Sequence, residues 1–259
     1  MPSLKKIKDR LLQKFVRDPA GYGRPVPKEA LDHEYRSGNW DHFFGFSELP
    51  RNLVLAGAIN HFFPDRPAVL DVGCGNGRLA TVYRHYPFSR YLGADLSAEA
   101  VTRARALGLP GMEFTEGNYE TWRPEGRFHA IAFNECIGYA RDPAATLTAF
   151  SAHLEPGGLF FLSHFRFGSY AAQWRRMATV CDTVEATAVM NAAGDQAWAI
   201  KVLRPRSRGS AASSHHQSAL SAGERTGLPA RADVAALLSP IRLGARGAGR
   251  PPASPGRLA

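Results

Sequence analysis

Val69-Leu-Asp-Val-Gly-Cys-Gly-Asn-Gly-Arg78 runs a short apolar strand straight into three glycines spaced two apart. A second apolar run, Tyr91-Leu-Gly-Ala94, ends on Asp95, 17 residues beyond Arg78. Gly73, Gly75 and Gly77 let the backbone turn sharply and approach a ligand where a side chain would collide. An acid at the tip of the next strand is placed to hold a ribose diol, as in dinucleotide-binding folds. Together they predict a site for a nucleoside-containing ligand.

The spacing narrows the ligand. A nicotinamide fingerprint, Gly-x-Gly-x-x-Gly, needs a third glycine at position 78, which is Arg78. A Walker-type loop needs Gly-Lys-Ser or Gly-Lys-Thr after the glycines, and none follows. A Gly-x-Gly-x-Gly turn preceded by an acid suits a ligand without phosphate, such as a nucleoside joined to an amino acid. Asp71 is then placed to help hold an ammonium group, directly or through water.

Five segments fall in a familiar order: Leu70 to Gly77, Gly93-Ala-Asp-Leu-Ser97, Gly117-Asn-Tyr119, Phe128 to Asn134, and Leu154-Glu-Pro-Gly-Gly-Leu159. In order and approximate spacing, from about residue 69 to 163, the chain resembles the class I S-adenosylmethionine-dependent methyltransferases of the small-molecule type. The resemblance implies S-adenosyl-L-methionine as cofactor. By that resemblance Gly73, Gly75 and Gly77 line the methionine end, Asp95 takes the ribose hydroxyls and Asn118 faces the adenine amine, with Leu96, Tyr119 and Asn134 also among the cofactor-binding residues. Many relatives carry Asp at position 118; Asn accepts the same bond through its carbonyl, without the charge.

Asn134-Glu135-Cys136 stands at the tip of the fourth strand, where the resemblance places the transferring methyl group. Enzymes that methylate exocyclic base amines show Asp/Asn-Pro-Pro-Tyr/Phe there; neither proline is present. Glu135 is a candidate base or substrate anchor. His164, read as lying just past the fifth strand and pointing to the same open face, is a second candidate base, because histidine titrates near neutrality. Cys136 reads as a small wall residue. No His, Asp or Glu cluster has metal-ligand spacing, so no metal is expected.

The chain has 259 residues, enough for one good-sized domain. Its net charge of +9 is concentrated at the ends: residues 1–17 contribute +5, residues 206–259 contribute +6, and the body between is −2. A phosphate-tracking surface needs its positive charge on the folded face, which argues against a nucleic-acid substrate. A small-molecule acceptor is the expected partner, and nothing sets an oligomeric state. Three scattered cysteines make no disulfide framework. With no apolar run of membrane-spanning length and no secretory leader, a cytoplasmic setting is expected.

The domain reading follows. Residues 1–24 form a basic amphipathic segment, with Leu4, Ile7, Leu11, Leu12 and Phe15 on one face of a helix over 4–17 that suits weak contact with an anionic membrane surface. Residues 25–205 form the methyltransferase domain, opening with helices over 28–36 and 48–60 and an aromatic lid drawn from Tyr35, Trp40, Phe43 and Phe44. Strands over 68–72, 90–94, 112–115, 128–133 and 157–163 alternate with helices over 76–86, 97–107 and 142–153. Pro156-Gly157-Gly158 reads as a helix end leading into a strand.

Strands over 183–190 and 197–203 are joined by a link too short for anything but an antiparallel pair. The expected fold is therefore α/β: a doubly wound, seven-stranded, mostly parallel, Rossmann-like sheet with a C-terminal antiparallel β-hairpin. Residues 206–259 lack Phe, Trp and Tyr. Such a segment buries too little to offset its ordering entropy, and disorder is expected there. Two rivals accompany the main reading: methylation of RNA or protein, and non-catalytic binding of the cofactor.

Overall fold

The computed structural model describes residues 25–166, 170–191 and 196–206. The basic N-terminal helix and the tail from 207 onward therefore lie outside the described residues. Seven strands form one sheet in the order β3-β2-β1-β4-β5-β7-β6. They are β1 (Ala68–Val72), β2 (Arg90–Asp95), β3 (Met112–Glu116), β4 (Phe128–Asn134), β5 (Leu154–Phe165), β6 (Cys181–Met190) and β7 (Ala197–Pro205). The helices are α1 (Lys28–Arg36), α2 (Leu49–Phe62), α3 (Arg78–Tyr83), α4 (Ala98–Ala106), α5 (Pro143–Ser151) and α6 (Tyr170–Met177). Among the described residues, no helix is long and apolar enough to cross a membrane.

β1 pairs in parallel with β2 on one side and with β4 on the other. The strand order reverses there, and open α/β sheets bind ligands in the crevice at such a switch point. β7 lies antiparallel between β5 and β6, which completes the expected hairpin.

Both faces of the central strands are buried, so neighbouring residues serve different cores. Ala130, Ala132, Leu159 and Phe161 pack with Leu55 and Ile59 of α2. Ile131, Phe133, Phe160 and Leu162 pack on the other face with Leu147, Phe150 and Met177. This alternation decides where each residue at a strand tip points.

Three local differences from the expected elements have physical causes. α3 begins at Arg78 and ends at Tyr83, and its start is set by Gly77, which caps it in the left-handed region at φ 87°. Pro156-Gly157-Gly158 lies inside β5 instead of before it: the pairing jumps from Phe128↔Leu154 to Ala130↔Leu159, and the irregular segment accommodates Gly157 at φ 81°. α6 was not anticipated, although Tyr170, Trp174 and Met177 have helical spacing, and Trp174 and Met177 are buried.

A Cβ on Gly77 would lie 2.8 Å from Leu107 Cδ1 and 3.4 Å from Ala104 Cβ. This glycine lets α3 pack against α4 and its following turn. Gly77→Ala is expected to cost about 1–2 kcal/mol from the left-handed backbone alone, read as a lowered urea midpoint at unchanged m-value.

Candidate active site

The bend after β1 is stitched to β2 by backbone bonds: the N–H groups of Gly73 and Cys74 donate to Ala94 O at 2.7 and 3.0 Å. Asp95, at the tip of β2, accepts from Gly75 N at 2.8 Å on one oxygen and from Ser97 N at 2.9 Å on the other. Each oxygen keeps acceptor capacity for a ligand hydroxyl. Burial pushes the Asp95 carboxyl up from its usual range, and the two N–H groups oppose that shift. Ser97 caps α4 by accepting from Ala100 N at 3.1 Å.

These groups border a cavity of about 410 Å³ at the C-terminal ends of the strands, within the range of small-ligand sites. Of the residues expected to hold cofactor, Gly73, Gly75, Asp95, Leu96, Asn118, Tyr119 and Asn134 line it, as does Glu135. The bare glycines leave no spare room. A Cβ on Gly73 would lie 2.5 Å from Cys136 Cβ, and one on Gly75 would lie 2.8 Å from the Tyr35 hydroxyl. Asn118 Oδ1 accepts from Glu120 N at 2.9 Å, which turns the chain after β3. The Tyr119 hydroxyl donates to Cys136 O at 3.2 Å and ties that turn to the tip of β4.

Three expectations are corrected by position. Gly77 faces α4 and does not line the cavity. Asp71 is fully buried beneath the bend, where it accepts from the Tyr91 hydroxyl at 2.8 Å, and it does not reach the cavity wall. His164 lies within β5, which runs on to Phe165, so its parity turns it to the face of Phe160 and Leu162. There it is buried, with Nε2 3.0 Å from Gln173 Oε1 and Nδ1 3.0 Å from Phe165 O, outside the cavity lining. Its odd-numbered neighbours Ser163 and Phe165 are on the opposite face.

Tyr35, Trp40 and Phe43 line the cavity, with Trp40 and Phe43 stacked at 5.0 Å; Phe44 does not line it. α1 is fixed through Asp32, which accepts from Ser97 Oγ at 2.5 Å and Glu99 N at 3.3 Å. These bonds hold the Asp32 carboxyl below its ordinary range, the Ser97 bond most of all.

Sequence reasoning missed a buried polar cluster beside the cavity. Arg51 and Asn52 are buried on α2. Arg51 donates to Glu48 Oε2 at 2.8 Å and to Asn134 Oδ1, and its guanidinium lies 5.9 Å from the Trp198 ring centroid. Asn134 donates to Asn52 Oδ1 at 2.9 Å. The signal was present: Arg51 and Asn52 are the two polar residues in the otherwise apolar run from Leu49 to Ile59. Polar side chains that must be buried on an apolar helix need partners.

Glu135 sits at the centre of this cluster in the left-handed region, φ 63°. Its carboxyl meets Ser163 Oγ at 2.8 Å and accepts from Phe165 N at 2.9 Å. Ser163 Oγ also stands 2.7 Å from Asn134 Oδ1. One hydroxyl proton cannot serve both acceptors. A protonated Glu135 donating to Ser163, which in turn donates to Asn134, satisfies all three groups. Burial raises the Glu135 pKa in the same sense, against the opposing charge of Arg51. Among the described residues, no group of three or more His, Cys, Asp or Glu could hold a metal ion.

Residues 41–196, more than half of the chain, match a family model described as a methyltransferase domain. Over 99 residues the chain is 32% identical to trans-aconitate 2-methyltransferase of Deinococcus radiodurans, covering 37% of this chain and 38% of that protein. Over 127 residues it is 28% identical to dTDP-3-amino-3,4,6-trideoxy-alpha-D-glucopyranose N,N-dimethyltransferase of Streptomyces venezuelae, covering 46% and 52%. The chain thus spans about half or less of the length of these curated relatives. N-methyltransferase NodS from Bradyrhizobium japonicum, solved with S-adenosyl-L-homocysteine, shares the fold at a TM-score of 0.57 and 15% identity, over 69% of this chain and 98% of that one. The chain belongs to the methyltransferase-domain family, the S-adenosylmethionine-dependent enzymes built on this Rossmann-like sheet.

Burial lifts the Asp71 carboxyl to about 7. Between the ordinary carboxylate range and about pH 7 the folded protein keeps a proton there that the unfolded chain has lost. Stability from this group therefore falls as pH rises across that window, by about 1.4 kcal/mol per pH unit. Asp71→Asn is expected to remove that slope, so its melting temperature should gain on the parent's more at pH 7.5 than at pH 5.

Proposed function

We propose that residues 25–205 form a catalytic domain that transfers a methyl group from S-adenosylmethionine to a hydroxyl or amine of a small molecule. The observation that carries the reading is Asp95. Its carboxylate borders the cavity beside a side-chain-free bend, and each oxygen, already steadied by one backbone N–H, retains acceptor capacity for a sugar hydroxyl. The donor set fits the cofactor: Asp95 for the ribose diol, Leu96 and the Asn118–Tyr119 turn for the base, Gly73 and Gly75 for the amino-acid end.

When bound, the cofactor supplies a sulfonium methyl that is already electrophilic. The task left to the protein is to aim an acceptor, and good orientation is worth about 7–11 kcal/mol of the barrier. Trp198, Phe165 and Tyr139 give the acceptor flat apolar walls, while Asn134 and Arg51 close the polar end. Glu135, at the tip of β4 beside that end, takes the acceptor's proton in its ionised form. A cationic ligand entering the cavity favours that form over the protonated one. The strained backbone at Glu135 fits a residue held for use, since such strain concentrates at functional sites.

Small-molecule specificity is supported by the small-ligand volume of the cavity and by the relatives named for an organic acid and an amino sugar. The body between the two basic ends carries a net charge of −2, which does not favour an RNA acceptor.

Labelled S-adenosylmethionine incubated with the full chain is expected to transfer its methyl to a small-molecule extract and not to RNA or protein. Transfer to a macromolecule would reverse the acceptor class, and tight binding without transfer would leave a non-catalytic binder. Asp95→Ala should weaken S-adenosylhomocysteine binding by about 10- to 100-fold. Glu135→Gln should cut turnover by about 10²–10⁴-fold with that affinity nearly unchanged, as calorimetry and initial rates will show.

A further inference from the structure

The walls at the Glu135 end of the cavity are aromatic. The Phe165 and Trp198 rings stand 5.5 Å apart at 54°, and both residues line the cavity. The Phe165 N–H donates to the Glu135 carboxyl at 2.9 Å. Tyr139 completes this end: burial, helped by the nearby Glu135 charge, pushes its phenol up to about 12. Trp198 already has one cation near it, the Arg51 guanidinium 5.9 Å from its ring centroid. Aromatic faces attract cations, most strongly where water is excluded.

The charge of the lining has the matching sign. Glu34, Glu48, Asp95, Glu120 and Glu135 line the cavity against the guanidinium groups of Arg51 and Arg78. Arg51 is matched by Glu48 at 2.8 Å. Among the described residues, Glu34, Glu120 and Glu135 make no ion pair. The cofactor, a sulfonium with an amino-acid end, offsets only part of that excess. Each Glu135 oxygen has one hydrogen-bond partner, Ser163 Oγ or Phe165 N, and keeps acceptor capacity for an N–H of a ligand.

Proton chemistry then separates an amine from a hydroxyl. In water an alkylammonium ion, at about 10.4, and a carboxyl group, at about 4.3, lie about 6 pH units apart. A hydroxyl as weakly acidic as water, at about 15.7, lies about 11 pH units from the carboxyl. Burial closes the first gap from both sides, because desolvation raises a carboxyl and lowers an ammonium. Glu135 is raised in this way, against the opposing charge of Arg51. Burial does not close the second gap, since it disfavours an alkoxide as well.

We propose that the methyl acceptor is an amine, which enters as its ammonium ion between Trp198, Phe165 and Tyr139 and pairs with the Glu135 carboxylate. This rests on the methyl-transfer reading of the cavity and narrows its acceptor to one class. One N–H proton passes to Glu135. The lone pair left on nitrogen forms the N–C bond to the methyl group while the S–C bond breaks, its electron pair staying on sulfur. The products are an N-methylammonium ion and a thioether, and Glu135 returns its proton to water as they leave.

The test uses the full chain saturated with S-adenosylhomocysteine, titrated by calorimetry with benzylamine, phenethylamine, cyclohexylamine and glucosamine. Each is measured beside the counterpart in which a hydroxyl replaces the amine. At least one amine is expected to bind about tenfold or more tighter than its hydroxyl counterpart. Glu135→Gln should abolish that preference, and Tyr139→Leu should reduce it, with unchanged S-adenosylhomocysteine affinity showing that both variants are folded. An absent preference in the parent chain, or one that survives both variants, overturns the proposal.

A second arm follows the methyl group from labelled S-adenosylmethionine into the same panel. Transfer to an amine supports the assignment. Transfer to the hydroxyl counterparts alone overturns it and leaves the methyl-transfer reading standing. If the parent chain binds no S-adenosylhomocysteine, that reading fails and the amine assignment falls with it.

Discussion

Both oxygens of Asp95 are held by backbone N–H groups from different elements, Gly75 in the bend and Ser97 ahead of α4, and the site is assembled around that bridge. A buried carboxylate is costly unless it is well hydrogen-bonded. The fold meets that cost by bringing the bend, the tip of β2 and the start of α4 to one point. The bend can come so close only because Gly73 and Gly75 carry no Cβ, with Cys136 and Tyr35 filling the space one would need. Conformational freedom in the glycines and the position of the acid are two sides of one constraint.

The other end of the cavity, at the tips of β4 and β5, is organised differently, by side chains. Arg51, Asn52 and Asn134 join α2 to the tip of β4, and Ser163 extends the chain of hydrogen bonds to β5. Such a network is valuable only when every member is satisfied. Burial pushes the Glu135 carboxyl up, while Arg51 and its bonds from Ser163 and the Phe165 N–H act against that. One end of the site is thus built of backbone and the other of polar side chains.

The difference explains what could be read from the chain in advance. Backbone features leave local marks: glycines at fixed spacing, an acid closing an apolar run, a link too short for a crossover. From these the sheet and the hairpin were legible, and with them the place of Gly73, Gly75 and Asp95 on the cavity wall. The polar cluster at the tips of β4 and β5 depends on Arg51 meeting residues 83 and 112 positions away, Asn134 and Ser163, which no local pattern announces. His164 shows how a small error in a strand boundary propagates. Ending β5 at 163 left it free to face the cavity; two more residues of strand fix its parity and turn it into the opposite core. Asp71 and Gly77 failed for a related reason, since a motif residue serves the fold as readily as the ligand.

Ser97 faces two ways. Its N–H steadies Asp95, while its hydroxyl donates to Asp32 on the lid helix α1, one turn ahead of the Tyr35 that roofs Gly75. The roof over the bend and the acid below it are therefore linked through Ser97, with the Glu99 N–H as a second tie to Asp32. A substitution that removes only the Ser97 hydroxyl would loosen the roof and leave the backbone support of Asp95 in place.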